Sequence, residues 1–392
     1  MSSPRRHDLD WLRVIAILLL VLFHVGMVFV PWEFHIKNDV TSDWLLMPMY
    51  FLSTWRMSLL FFISGIGTMF AFKRRNADQY TGERIRRLLI PVLIGFFFII
   101  PPQIWAERVF QGVVYDSYFH FWIGDFKMEA YPHGSISWHH LWFVMYLFCY
   151  SILAMPFFLW LRRSAGKRWL EKVDHFFARP GAIYLLAIAP AIAQATLRPI
   201  FPTTHDLFFD WATHGYYGSM FVLGYFVANL KQAWAAIPKH RLLHLSLALL
   251  SMAYLQVELF VLDERLLPAF PYWVLKSFCA WFFILGLSGY AARYLNFDNR
   301  FIRYANEGIY PFYILHQSVE LPFALYVVKW EMAWELKFTI LTALTFFVSL
   351  LIYELGIRRF NIMRILFGMK PKTSVTARGV NAASLQPVGE PG

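Results

Sequence analysis

The sequence predicts an all-α fold, a polytopic membrane protein built as a bundle of about ten transmembrane helices. Three observations predict it. The chain of 392 residues is 58% hydrophobic and 19% aromatic but only 16% charged, well below the roughly 25% charge of soluble domains. Long apolar runs recur along its whole length. Lys and Arg crowd every second connection between those runs, as they do on the cytoplasmic side of a membrane. Topology therefore accounts for the formal charge of +11, and no nucleic-acid partner is implied. Cys149 and Cys279 both fall inside apolar runs, so no disulfide is expected.

The first run, Asp8 to Trp32, reads DLDWLRVIAILLLVLFHVGMVFVPW. It is long enough to cross a hydrocarbon core of roughly 30 Å. It is also too long for a signal-peptide core and lacks a small-residue cleavage site, so it stays as a helix. Further spans are predicted at 45–72, 88–106, 138–160, 181–198, 212–230, 242–262, 270–292, 304–328 and 336–357. The connection after the second span holds Lys73, Arg74, Arg75, Arg84, Arg86 and Arg87, and the one after the fourth holds Arg162, Arg163, Lys167, Arg168, Lys172 and Arg179. Lys231, Lys239 and Arg241, then Arg293, Arg300 and Arg303, then Arg358, Arg359 and Arg364 continue the alternation. The opposite loops carry Glu33, Asp39, Glu107, Asp116, Asp206, Asp210, Asp263 and Glu264 instead. Both termini are accordingly expected in the cytoplasm. Residues 1–360 form the transmembrane domain, and the Pro-, Ser-, Gly- and Ala-containing tail 371–392 is expected to be a disordered cytoplasmic segment.

The longest outward connection, 107–137, gathers Tyr115, Tyr118, Phe119, Phe121, Trp122, Phe126 and Tyr131 around His120, Asp125 and His133. Aromatic faces beside polar partners suit a sugar, and an interfacial aromatic belt would look the same. No internal repeat, glycine-rich phosphate loop or metal-ligand spacing is visible.

Ionisable residues inside the spans carry the chemistry. Eleven helical steps lead from Arg13 to His24, about 16 Å along a helix, so the imidazole reaches the midplane while the guanidinium stays at an interface. A group at that depth marks a functional site when it faces protein or a wet cavity, although a hydrogen bond to a neighbouring helix would also account for it. His316, in YPFYILHQ, is predicted at nearly the same depth. Arg56 enters the outer half of the second span, where Glu258 or Glu320 could neutralise it, and Glu258 and Lys276 could neutralise each other. Arg84, Arg86 and Arg87 lie close in depth to Arg13. Guanidinium clusters bind phosphates bidentately, though the positive-inside rule explains these arginines equally well.

These motifs together resemble the acyltransferase type 3 membrane family. The resemblance rests on LDWLR, then ten residues, then His24, FFISG at 61–65, the Arg84 and Arg87 pair at RxxR spacing, HLWF at 140–143 and YPFYILH at 310–316, in order across about residues 8–360. It implies transfer of an acyl group, succinyl or acetyl, from cytoplasmic acyl-CoA to a hydroxyl of an extracytoplasmic glycan or glucan, from a bacterial inner membrane. It implies His24 as catalytic base, with Arg13, Arg84 and Arg87 contacting the CoA end. His316 joins His24 as a catalytic candidate, while Arg56, His140 and Trp142 are candidates for substrate binding. Acyl-CoA enters as a co-substrate, with no permanently bound cofactor and no metal expected. A different class of function, a proton-coupled transporter or flippase using His24, His316 and Glu320 as a relay, fits the same buried residues.

Overall fold

The computed structural model describes residues 5–262 and 266–372. The expected acidic pair Asp263 and Glu264, and the tail beyond 372, lie outside the described residues. The chain is 75% helical, with no strand among the described residues. Its long helices are α1 (His7–Met27), α2 (Asp43–Phe72), α3 (Ala77–Phe110), α4 (His139–Leu153, continued by Met155–Leu161), α5 (Ser164–Phe177), α6 (Ala182–Leu197), α7 (Trp211–Asn229), α8 (Arg241–Phe260), α9 (Ala269–Tyr294), α10 (Arg300–Val327) and α11 (Trp334–Ile357).

Six of these are long and apolar enough to cross a membrane, and eight if each bent pair, α4 with its continuation and α5 with α6, counts as one span. Length and apolarity therefore support six to eight spans, short of the ten expected. The shortfall has a physical reason. Helices α7 and α10 are long but polar, and they turn their polar side chains inward: Thr213 and Tyr216 on α7, and His316, Gln317 and Glu320 on α10, are all buried. A helix whose polar face is covered by its neighbours need not be apolar all round to sit among them.

Breaks in the helices follow the sequence. Pro156 removes a backbone N–H and crowds the preceding turn, which bends α4 by 48°. Pro180 and Gly181, the latter at φ +80°, turn the chain by 117° between α5 and α6. The connection after the fourth span is thus largely the helix α5, whose Asp174 accepts the backbone N–H groups of Gln232 and Ala233 at 3.0 and 3.1 Å. Helix α3 begins at Ala77, well before the predicted 88, so Arg84 and Arg87 ride on a helix. Two π-helical turns interrupt it, at Ile85–Leu89 and Gly95–Ile99, a distortion that often accompanies functional sites.

Lipid is as apolar as leucine, so close packing has to hold such a bundle together. Helices α2 and α7 meet through reciprocal glycines: a Cβ on Gly65 would strike the Phe221 carbonyl, and one on Gly224 would strike the Phe62 carbonyl. Gly65 ends the FFISG motif, and Phe61 beside it stacks on Tyr217 with ring centroids 5.0 Å apart. Gly65→Ala is expected to cost about 1–3 kcal/mol through overpacking. Gly67→Ala, where a Cβ meets nothing within 4 Å, should be neutral within about 0.5 kcal/mol. Thermal unfolding in detergent compares the two.

Candidate active site

Helix α1 starts with Asp8 and Asp10 in its first turn, where carboxylates favour the helix dipole. Arg6 pairs with Asp8 at 2.5 Å and Arg5 with Asp10 at 2.9 Å. One turn on, Arg13 sits 3.5 Å from Asp10 and donates to Asn306 Oδ1 at 3.3 Å. This end of the bundle holds a cavity of about 770 Å³ whose walls include Arg13, Arg84, Arg87, Lys73 and Lys370, with Asp10 and Glu83 as its acids. Glu83 is shared by Arg75 at 2.9 Å and Arg87 at 3.2 Å. Arg84 lies over the Tyr80 ring at 4.6 Å, and its Nε is buried without a partner. Of the four arginines that the sequence placed near one depth, Arg13, Arg84 and Arg87 share this cavity, which has a large excess of cationic groups, while Arg86 lines a neighbouring one.

The opposite half of α1 brings His24 to α10. The His24 and His316 rings lie 5.1 Å apart, and the His316 and His140 rings 5.0 Å apart. Tautomers follow from the partners. His316 Nδ1 meets the Tyr313 carbonyl at 2.5 Å; a carbonyl only accepts, so Nδ1 carries the proton and the buried, unpartnered Nε2 carries a lone pair. His140 Nε2–H donates to the Ile314 carbonyl at 3.0 Å, and its Nδ1 accepts from Gln103 Nε2 at 3.3 Å. Tyr313 Oη donates to the His140 carbonyl. Both His140 ring nitrogens are thus engaged in tying α10 to α3 and α4. Trp142, two residues on, stacks on His205 at 4.4 Å and also packs beside Tyr217. Burial pushes the His205 imidazole, in the connection before α7, down to about 4, with Asp210 partly opposing, so a neutral ring stacks on Trp142 at pH 7.

Polar atoms without partners lie around His24. Arg56 is 2% exposed and lies 4.3 Å over the Phe23 ring, itself 5.7 Å from the His24 ring. Its Nε and Nη1 are buried and unpartnered, as are both carboxylate oxygens of Glu320 and Nδ1 of His24. Arg56 and Glu320 therefore do not neutralise each other, and Glu258 Oε1 instead accepts the Leu267 N–H at 2.7 Å. Donor atoms of His24, His316 and Glu320 all lie within 4.8 Å of one another, and those of His35, Glu107 and His139 form a second such group. The first trio is the set the sequence offered as a relay, with His316 and Glu320 four residues apart on α10, whereas the second joins a loop and two helices, so linear spacing does not show it. Gln103 and Glu107 were also missed as site residues. The signal available for them was a Gln and a Glu four residues apart in an otherwise apolar segment of α3.

A family model described as an acyltransferase domain matches residues 6–354. The chain belongs to the type 3 acyltransferase family. Among curated relatives it is similar to the glucans biosynthesis protein C of Escherichia coli (strain K12), 22% identical over 95% of this chain and 96% of that protein. It is equally similar to the protein of that name in Shigella dysenteriae serotype 1, at 22% over the same shares, and to that of Escherichia coli O139:H28, at 23%. No solved structure matches. Membership agrees with a membrane-embedded acyltransferase, and the family's motifs fall where the geometry is most unusual: the α1 Arg and His at the two polar centres, Gly65 at the tightest helix crossing, and HLWF and YPFYILH against each other around His140, Tyr313 and His316.

Proposed function

We propose that this acyltransferase is a bacterial inner-membrane O-acyltransferase with both termini cytoplasmic, moving succinyl or acetyl from acyl-CoA to a glucan hydroxyl on the opposite side. One observation carries the reading. A cavity lined by Arg13, Arg84 and Arg87 lies at one end of the helix whose other half holds His24 beside His316. Arginine forks match phosphate oxygens, so the phosphates of CoA dock at that cavity. Its long flexible arm then carries the thioester toward His24, about 16 Å deeper along α1. The names of the relatives support a glucan as acceptor.

In this mechanism His24 takes the proton of the acceptor hydroxyl as its oxygen attacks the thioester carbonyl. The C–O bond forms, the C–S bond breaks, and the proton on His24 passes to the departing CoA sulfur. Arg56, over the Phe23 ring that packs edge-on against His24, is the residue assigned to the acyl end or to the oxyanion. Arg84→Ala and Arg87→Ala are each expected to raise KM for acyl-CoA by about tenfold or more, with kcat changed far less, because a charge-assisted contact made equally in ground and transition states is lost. Steady-state kinetics on purified variants checks this, and unchanged CoA affinity would return these arginines to a purely topological role. The proximity of His24, His316 and Glu320 favours one second reading, a proton relay for transport; proton flux into liposomes without acyl-CoA turnover would support it instead.

A further inference from the structure

Beyond the C-terminal end of α1, on the far side of His24 from the arginine-lined cavity, four residues form a polar cup that the mechanism above does not use. Its floor is Glu107, 6% exposed. Glu107 Oε1 accepts from Tyr131 Oη at 2.8 Å and faces His35 Nδ1 at 3.1 Å, whereas Oε2 is buried with no partner. Burial first, and then this carboxylate, hold the Tyr131 phenol above its usual range, so it stays a donor. His139 closes the cup, its ring 4.8 Å from that of His35 and 5.0 Å from that of Tyr131. The His139 backbone N–H donates to Ser137 Oγ at 3.1 Å, and the same hydroxyl pairs with His139 Nδ1 at 2.7 Å. When the Ser137 hydroxyl donates to Nδ1, His139 Nε2 carries the proton, and it too is buried without a partner. His139 is held at φ +39°, a conformation costly for a residue with a side chain and found where the surroundings impose it.

The cup thus offers one unused acceptor, Glu107 Oε2, and, in that tautomer, one unused donor, His139 Nε2–H. A hydroxyl satisfies both at once. A metal ion fits less well: imidazole nitrogen binds zinc in the ring plane, and the His35 and His139 rings are stacked within 4° of parallel, so their in-plane lone pairs do not converge on one point. The cup is also next to the reacting centre. Phe34 spans the gap, 5.2 Å from the His35 ring and 6.1 Å from the His24 ring, and His140, the next residue after His139, packs on His316.

We infer that the cup of His35, Glu107, Tyr131 and His139 is a saccharide-hydroxyl subsite, which holds a non-reacting hydroxyl of the acceptor so that a neighbouring hydroxyl meets His24; this rests on the acyl-transfer reading above. Binding of a glucose oligosaccharide to the purified protein, followed by calorimetry, tests it. Glu107→Gln and His139→Asn, the latter chosen because asparagine tolerates positive φ, are each expected to weaken oligosaccharide binding about tenfold or more. In turnover, the ratio of kcat/KM for the oligosaccharide to that for methanol, which has no second hydroxyl, should fall by about the same factor. Retained CoA affinity serves as the control for folding, and if one variant fails to fold the other decides. Unchanged oligosaccharide affinity, no oligosaccharide binding by the wild type, or a stoichiometric zinc ion in the wild type that Glu107→Gln removes would each overturn the subsite. A wild type that binds the oligosaccharide, with the expected loss in the variants, but never acylates it would support the subsite and overturn the acyl-transfer reading instead.

Discussion

His24→Ala is expected to reduce acyl transfer by about 10²–10⁴-fold, the usual contribution of a positioned general base. The helix should survive the change. Alanine is the best helix former, His24 Nδ1 makes no hydrogen bond that would be lost, and removing an unpartnered imidazole relieves a desolvation cost. Loss of activity with an unchanged melting temperature is therefore the predicted pair of results. His316 gives a useful contrast. Its Nδ1–H is tied to the Tyr313 carbonyl of its own helix, so His316→Ala removes that bond and its packing on His140 and should lower both stability and rate. Transfer within a few-fold of wild type in His24→Ala would remove the base from the mechanism.

Arg56→Gln is expected to shift donor preference from succinyl-CoA toward acetyl-CoA by about tenfold to a hundredfold, the value of a lost charge-assisted pair at roughly 1.5–3 kcal/mol. A buried guanidinium without a carboxylate is expensive. Arg56 has Nε and Nη1 unpartnered while Glu320, the nearest explanation in sequence terms, leaves both its oxygens unpartnered as well. The free carboxylate of a succinyl group would meet that need bidentately, and an acetyl group would not. Comparing kcat/KM for the two donors in wild type and variant decides the matter. An unchanged ratio would take Arg56 out of the acyl pocket.

Much of this arrangement was legible in the sequence, for identifiable reasons. The spacing of Arg13 and His24 on one helix fixes their depth difference through helix rise alone, and the structure accordingly puts one in the cationic cavity and the other at the histidine cluster. Gly65 and YPFYILH likewise carry their role in their residue types. Span counting fared less well, because apolarity is a property of the lipid-facing surface, and α7 and α10 show little of that surface. The partners of Arg56, the bracing role of His140 and the Glu107 cup depend on contacts between segments tens to hundreds of residues apart, such as Gln103 with His140 or His140 with Ile314. No local pattern encodes those.

Purified protein given acyl-CoA and a glucose oligosaccharide, with products followed by mass spectrometry, tests the central claim most directly. The account predicts an ester-linked acyl group on the oligosaccharide, free CoA released in equal amount, and neither product with His24→Ala. Acyl-CoA left intact in the presence of the oligosaccharide, or equal product from wild type and His24→Ala, would contradict it.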